Sequence, residues 1–74
     1  MPKLRPLSAK EVCGILLAHG FVKMRQAGSH LVMRKEVDEK DSRTAIVPNH
    51  AIIAKGTLIS IIKQSGLDAS LYRK

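Results

Sequence analysis

His30 directly follows a Gly28-Ser29 pair, with Arg25 three residues before the pair and Arg34 four residues beyond the histidine. The residues on either side are β-like runs. Glycine takes the φ > 0 geometry that short hairpin loops need, so this stretch predicts a two-residue turn. Such a turn sets the His30 imidazole at a strand start, with Lys23 and Arg25 on one arm and Arg34 on the other. An imidazole exchanges protons near neutral pH, and cations stabilise charge on phosphate oxygens. That combination suits phosphodiester chemistry. By spacing alone, a plain surface histidine beside a turn is the commoner case, and the remainder of the chain has to decide.

Other chemistries find little support. His19, His30, His50 and Cys13 fall at none of the usual ligand spacings, and the acidic cluster lies in a hydrophilic stretch. Neither a metal nor a cofactor is expected. A Ser29 or Cys13 nucleophile would need a positioned base and an oxyanion site, and no Gly-rich phosphate loop occurs. One cysteine cannot make a disulfide framework. Cys13 falls among apolar helix positions, so it reads as a small core residue in a reducing compartment.

The chain carries +7 in 74 residues. Glu36, Asp38, Glu39 and Asp41, together with Lys40, give positions 36–41 a charge of −3, which leaves +10 on the remainder. A fold this small cannot hide that charge, so most of its surface attracts a polyanion. With one Phe, one Tyr and no Trp, it lacks the stacking platforms that grip single-stranded bases. Backbone and shape readout of a nucleic acid is what remains. The longest apolar runs are far short of a membrane span, and the basic N-terminus has no apolar region after it. The expectation is a cytoplasmic protein with no membrane partner.

The elements that must position His30 follow from patterning. The chain reads as a single domain over 1–74, with a core at about 8–68 and a basic tail at 69–74. Ser8 and Glu11 form a capping box that opens a helix, and Ala9, Val12, Cys13, Leu16 and Leu17 mark its buried stripe. Gly20 ends it, with His19 in the last turn. Strands are predicted over 21–27, 30–36 and 43–48, with an acidic loop at 37–42. Phe21, Lys23 and Arg25 share one face of the first strand. Residues 49–55 are a loop or an irregular helical turn. Thr57 then caps a second helix from about Leu58 to Ser65, closed by Gly66, with Lys63 and Gln64 outward.

The order helix, three strands, helix gives an α+β fold that resembles the double-stranded RNA-binding domain: α-β-β-β-α, a three-stranded antiparallel sheet with two helices on one face. Its opposite face stays open. The series Gly20-Phe21, Arg25-Gln26-x-Gly28-Ser29-His30, Val47-Pro48-x-His50, Gly56-Thr57-Leu58 and Gln64-x-Gly66 resembles the HicA (YcfA-like) toxin family, over about residues 8–68. These are mRNA interferases of toxin–antitoxin systems. The resemblance implies an endoribonuclease acting on mRNA, and the lack of a ligand cluster in the sequence makes its cleavage metal-independent by expectation. It maps the catalytic residue onto His30; the reading of the turn and its flanking cations adds Lys23, Arg25, Gly28, Ser29 and Arg34 in supporting or RNA-binding roles. It also implies a HicB-like antitoxin that covers His30.

Two rivals remain at this stage. A non-catalytic RNA-binding module with the same fold would keep the basic sheet but have no need of His30. A DNA-binding regulator would need a recognition helix, and neither helix offers an exposed row of base-reading side chains.

Overall fold

The computed structural model describes residues 6–72. Ser8 Oγ accepts from the Glu11 N–H at 3.1 Å while Glu11 Oε1 accepts from the Ser8 N–H at 3.0 Å. Two of the amide groups that a helix start leaves unpaired are thereby satisfied. The helix so opened, α1, runs Ala9–Ala18. At its other end the His19 ring Nδ1 donates to the Ile15 carbonyl at 2.8 Å, so this histidine is spent on closing the helix. The buried stripe is Ala9, Val12, Ile15 and Leu16, with Cys13 only half covered and Leu17 54% exposed. The stripe is thus rotated from the expected one. The cause is the far end of the chain: Ala69–Tyr72 wind into a 3-10 turn that packs on α1.

That turn also corrects the expected tail at 69–74. Tyr72 is fully buried, and its hydroxyl meets Ser65 Oγ at 2.9 Å. The packed domain therefore reaches Tyr72; Arg73 and Lys74 lie outside the described residues.

Three strands follow α1: β1 (Val22–Ala27), β2 (His30–Glu36) and β3 (Ser42–Pro48), antiparallel in the order β1-β2-β3. Partners on adjacent strands share a face. Leu31 and Met33 of β2 therefore point the same way as Val47 and Ala45 of β3. Met33, Ala45 and Val47 are buried in one cluster with Val12 and Leu16 of α1 and Leu58 and Ile61 of α2 (Lys55–Ser65). Both helices thus cover that side, giving the α-β-β-β-α order with an open antiparallel sheet. His30, Val32 and Arg34 point to the uncovered side.

The helix α2 starts earlier than Thr57 suggests. Its N-cap is Ala54, with no side-chain cap, and Thr57 sits inside the first turn. It ends as expected at Gly66, in the left-handed region at φ +70° with the Arg43 guanidinium packed where a Cβ would be. Gln64 does not simply point outward: its Oε1 accepts the Ile46 N–H at 3.0 Å. That bond occupies a donor on the free edge of β3, an edge otherwise open to pairing with another chain. Residues 49–54 are irregular, held by bonds from the Ala9 N–H to the His50 carbonyl and from the Ile53 N–H to the Leu7 carbonyl.

Candidate active site

Gly28 and Ser29 form the β1–β2 turn, and only the glycine has a positive φ, at +60°. A left-handed residue in the first of two loop positions matches the right-handed twist of the flanking strands. The turn is braced from both sides. Gln26 Nε2 donates to the Gly28 carbonyl at 3.3 Å, and the Asn49 N–H donates to the Ser29 carbonyl at 2.6 Å. His30 is consequently fixed in backbone position as the first residue of β2, with its side chain exposed. Its cross-strand partners are Ala27 and Pro48.

The cations assigned to His30 do not all reach it. Simple alternation expects Lys23 and Arg25 on one face, but the register shifts between them and leaves Met24 as an extra residue. This bulge turns the strand over. Lys23 lies opposite Met33, on the helix side, where it lines a separate groove with Lys10, Cys13 and Leu17. There, burial pushes the Cys13 thiol up, and the Lys23 ammonium offsets part of that. Arg25 lies opposite Val32 and so shares the open face with His30, as a diagonal neighbour roughly 7–8 Å away at the backbone. Arg34 is on the same face but four residues along β2, about 13 Å from His30 by strand rise. Its Nε sits 3.1 Å from Glu36 Oε1 in an exposed ion pair. An exposed pair of this kind is worth little and can be exchanged for another anion.

A recess of about 440 Å³ opens beside His30. Its sheet side is His30, Ile46 and Pro48; its other side is α2, which overhangs the β3 edge with Thr57, Ser60 and Gln64; His50 closes the end. Ala54 and Thr57 bring the start of α2 to the recess, and no side chain caps that helix end. Backbone N–H groups at an uncapped helix start favour an anion. The recess therefore combines proton-exchanging imidazoles, neutral hydrogen-bonding groups and a helix end suited to phosphate. Among the described residues, no three His, Cys, Asp or Glu side chains gather as a metal site.

The family model described as the HicA toxin of bacterial toxin–antitoxin systems matches residues 9–67. The chain belongs to the HicA toxin family. It is thus a toxin of a toxin–antitoxin pair, and an antitoxin counterpart goes with that. No curated protein matches the chain. Among the described residues, no helix is long and apolar enough to cross a membrane. In this HicA-family chain the matched stretch contains both helices, the turn and the sheet. Residue types and spacing pointed to His30 and Arg25, but His50, Thr57, Ser60 and Gln64 were missed as lining residues. The one available signal was the Pro48-x-His50 spacing, since Pro48 pairs with His30 across the sheet.

Proposed function

We propose that this toxin is a metal-independent endoribonuclease that cleaves mRNA in the cytoplasm, with His30 as the proton-transferring residue and a HicB-like antitoxin as its partner. The observation that carries this is an exposed imidazole at the head of β2, on an uncovered sheet face with Arg25, opening on a recess that suits an anion. His30 takes the proton from the RNA 2′-hydroxyl as that oxygen attacks the adjacent phosphorus. Arg25 stabilises the charge that builds on the non-bridging oxygens. Arg34, further along the strand, holds a neighbouring phosphate. Gly28 and Ser29 keep the imidazole at the strand head, and Lys23, on the other side of the sheet, has no part in the reaction. A non-catalytic RNA-binding module would have the same basic face, so the test must separate binding from cleavage.

His30→Ala should lower RNA cleavage in EDTA by at least about 100-fold, the usual contribution of one general base. RNA binding and the melting temperature should change little, because the side chain is exposed. Growth arrest on expression should disappear with cleavage. Equal toxicity of the variant and the unaltered chain would sink the enzyme reading, and cleavage that fails in EDTA but returns with a divalent ion would sink metal independence.

A further inference from the structure

His50 lines the same recess as His30. We propose that His50 is a second catalytic residue, the acid that protonates the leaving 5′-oxygen; this rests on the ribonuclease reading above. With one imidazole as base, the leaving oxygen has to take its proton from water or from the same ring, and an RNA 5′-oxygen is a poor leaving group unless protonated. Among the described residues, the titratable side chains lining the recess are the two histidines. Around them β3 supplies Ile46 and Pro48, the N-cap of α2 is Ala54, and α2 supplies Thr57, Ser60, Ile61 and Gln64, none of which titrates. The charged groups at the starts of the helices next to the 49–54 segment are Lys10 and Glu11 on α1 and Lys55 on α2. None of these three lines the recess.

The backbone holds residues 30 and 50 in a fixed relation. His30 pairs across the sheet with Pro48, and the His50 N–H donates back to the Pro48 carbonyl at 2.8 Å, a tight turn that keeps residue 50 beside the pair. The His50 carbonyl accepts from the Ala9 N–H at 3.0 Å, which anchors it to α1. Between them, the Asn49 N–H donates to the Ser29 carbonyl at 2.6 Å, tying the segment that bears His50 to the turn that presents His30.

The step balances without any further reactant. The 2′-hydroxyl gives its proton to neutral His30 as the O2′–P bond forms, the P–O5′ bond breaks, and protonated His50 gives its proton to O5′. The products are a 2′,3′-cyclic phosphate and a 5′-hydroxyl, and the two rings exchange protonation states, restored through water. Imidazole is the side chain that can act both as base and as acid in such a step.

The test compares two RNAs, one natural and one with sulfur replacing the bridging 5′-oxygen at the mapped scissile linkage. A thiolate leaves without protonation. His50→Gln, which keeps size and hydrogen bonding, should cleave the natural RNA at least about 100-fold more slowly. It should cleave the sulfur-substituted RNA near the rate of the unaltered protein. His30→Gln should be slow on both. If His50→Gln is equally slow on both substrates, or unimpaired on both, His50 is not the acid and the proposal falls. If His30→Gln cleaves both at full rate, the ribonuclease reading itself fails at His30. Thermal melts of both variants, with His50→Ala as a further His50 variant, separate loss of chemistry from loss of fold.

Discussion

Tyr72 has no exposed surface, and its hydroxyl lies 2.9 Å from Ser65 Oγ, which also donates to the Ile62 carbonyl and accepts from the Leu67 N–H. Burial pushes the phenol above its ordinary value, because a phenolate would have to give up its hydration. The unfolded chain ionises near pH 10, and the folded chain holds its proton to higher pH. The resulting stabilisation is fully present below about pH 10 and is lost as pH rises through the folded value. Tyr72 is the sole tyrosine and there is no tryptophan, so tyrosinate absorbance reads this one group. Its midpoint should exceed that of free tyrosine and coincide with loss of the helical circular dichroism signal. A midpoint at the free value would mean that the C-terminal turn is open in solution. The three histidines differ in the same local way. His19 is engaged with its own helix, whereas His30 and His50 share a recess whose other lining groups do not titrate.

At the scale of elements, the bulge in β1 decides which cations share the face of His30. It sets Arg25 on the open face and Lys23 on the helix side, so the two should behave differently although they are two residues apart. Arg25→Gln should reduce the salt slope of single-stranded RNA binding by about 0.7, the release expected for one phosphate contact, and Lys23→Gln should leave it unchanged. Equal reductions would place RNA elsewhere on the surface. The bulge was not legible in the sequence, because it belongs to the pairing of two strands and not to the composition of one. By contrast, β2 has the expected bounds, His30 to Glu36, since the Gly28-Ser29 turn and the acidic loop mark both ends locally. The Ser8–Glu11 box and the Gly66 stop were legible for the same reason. Thr57 misled because a good capping residue stood near a helix start that in fact has no side-chain cap. That helix is held by Leu58 and Ile61 in the core and by Gln64 on the edge of β3. Tyr72 misled because two cations follow it, and only the tertiary fold shows the hole it fills. The recess was illegible in the main because α2 is brought to His30 from more than 20 residues away.

At the scale of the whole molecule, acidic side chains gather at one end of the sheet. The acidic loop joins β2 to β3, at the end of β2 away from the Gly28-Ser29 turn. Across a seven-residue strand that is about 20 Å, well over the roughly 8 Å screening length at physiological salt. The loop therefore does little to screen Arg25 beside His30, and that cation can draw in an anion of any kind. Under the proposed ribonuclease function the toxin must be held off its own cell's RNA, and an antitoxin with carboxylates facing Arg25 and Arg34 would occupy the phosphate positions and cover His30. The exposed Ile46 and Val22 share that open face, by register with Val32 and Arg34, and supply the apolar contact that slows release. Association should then be fast and strongly salt-dependent, falling from about 10⁸–10⁹ M⁻¹s⁻¹ at low salt towards an unsteered 10⁵–10⁶ M⁻¹s⁻¹. Arg25→Gln with Arg34→Gln should flatten that dependence, while neutralising Asp38, Glu39 and Asp41 should leave the complex intact. Co-expression with a neighbouring HicB-like reading frame, copurification and stopped-flow mixing over a salt series measure all three. If the chain elutes alone and its activity is unchanged by the neighbour's product, that product is not its antitoxin. Retained binding by the double arginine variant with the salt dependence unaltered would move the interface off the His30 face.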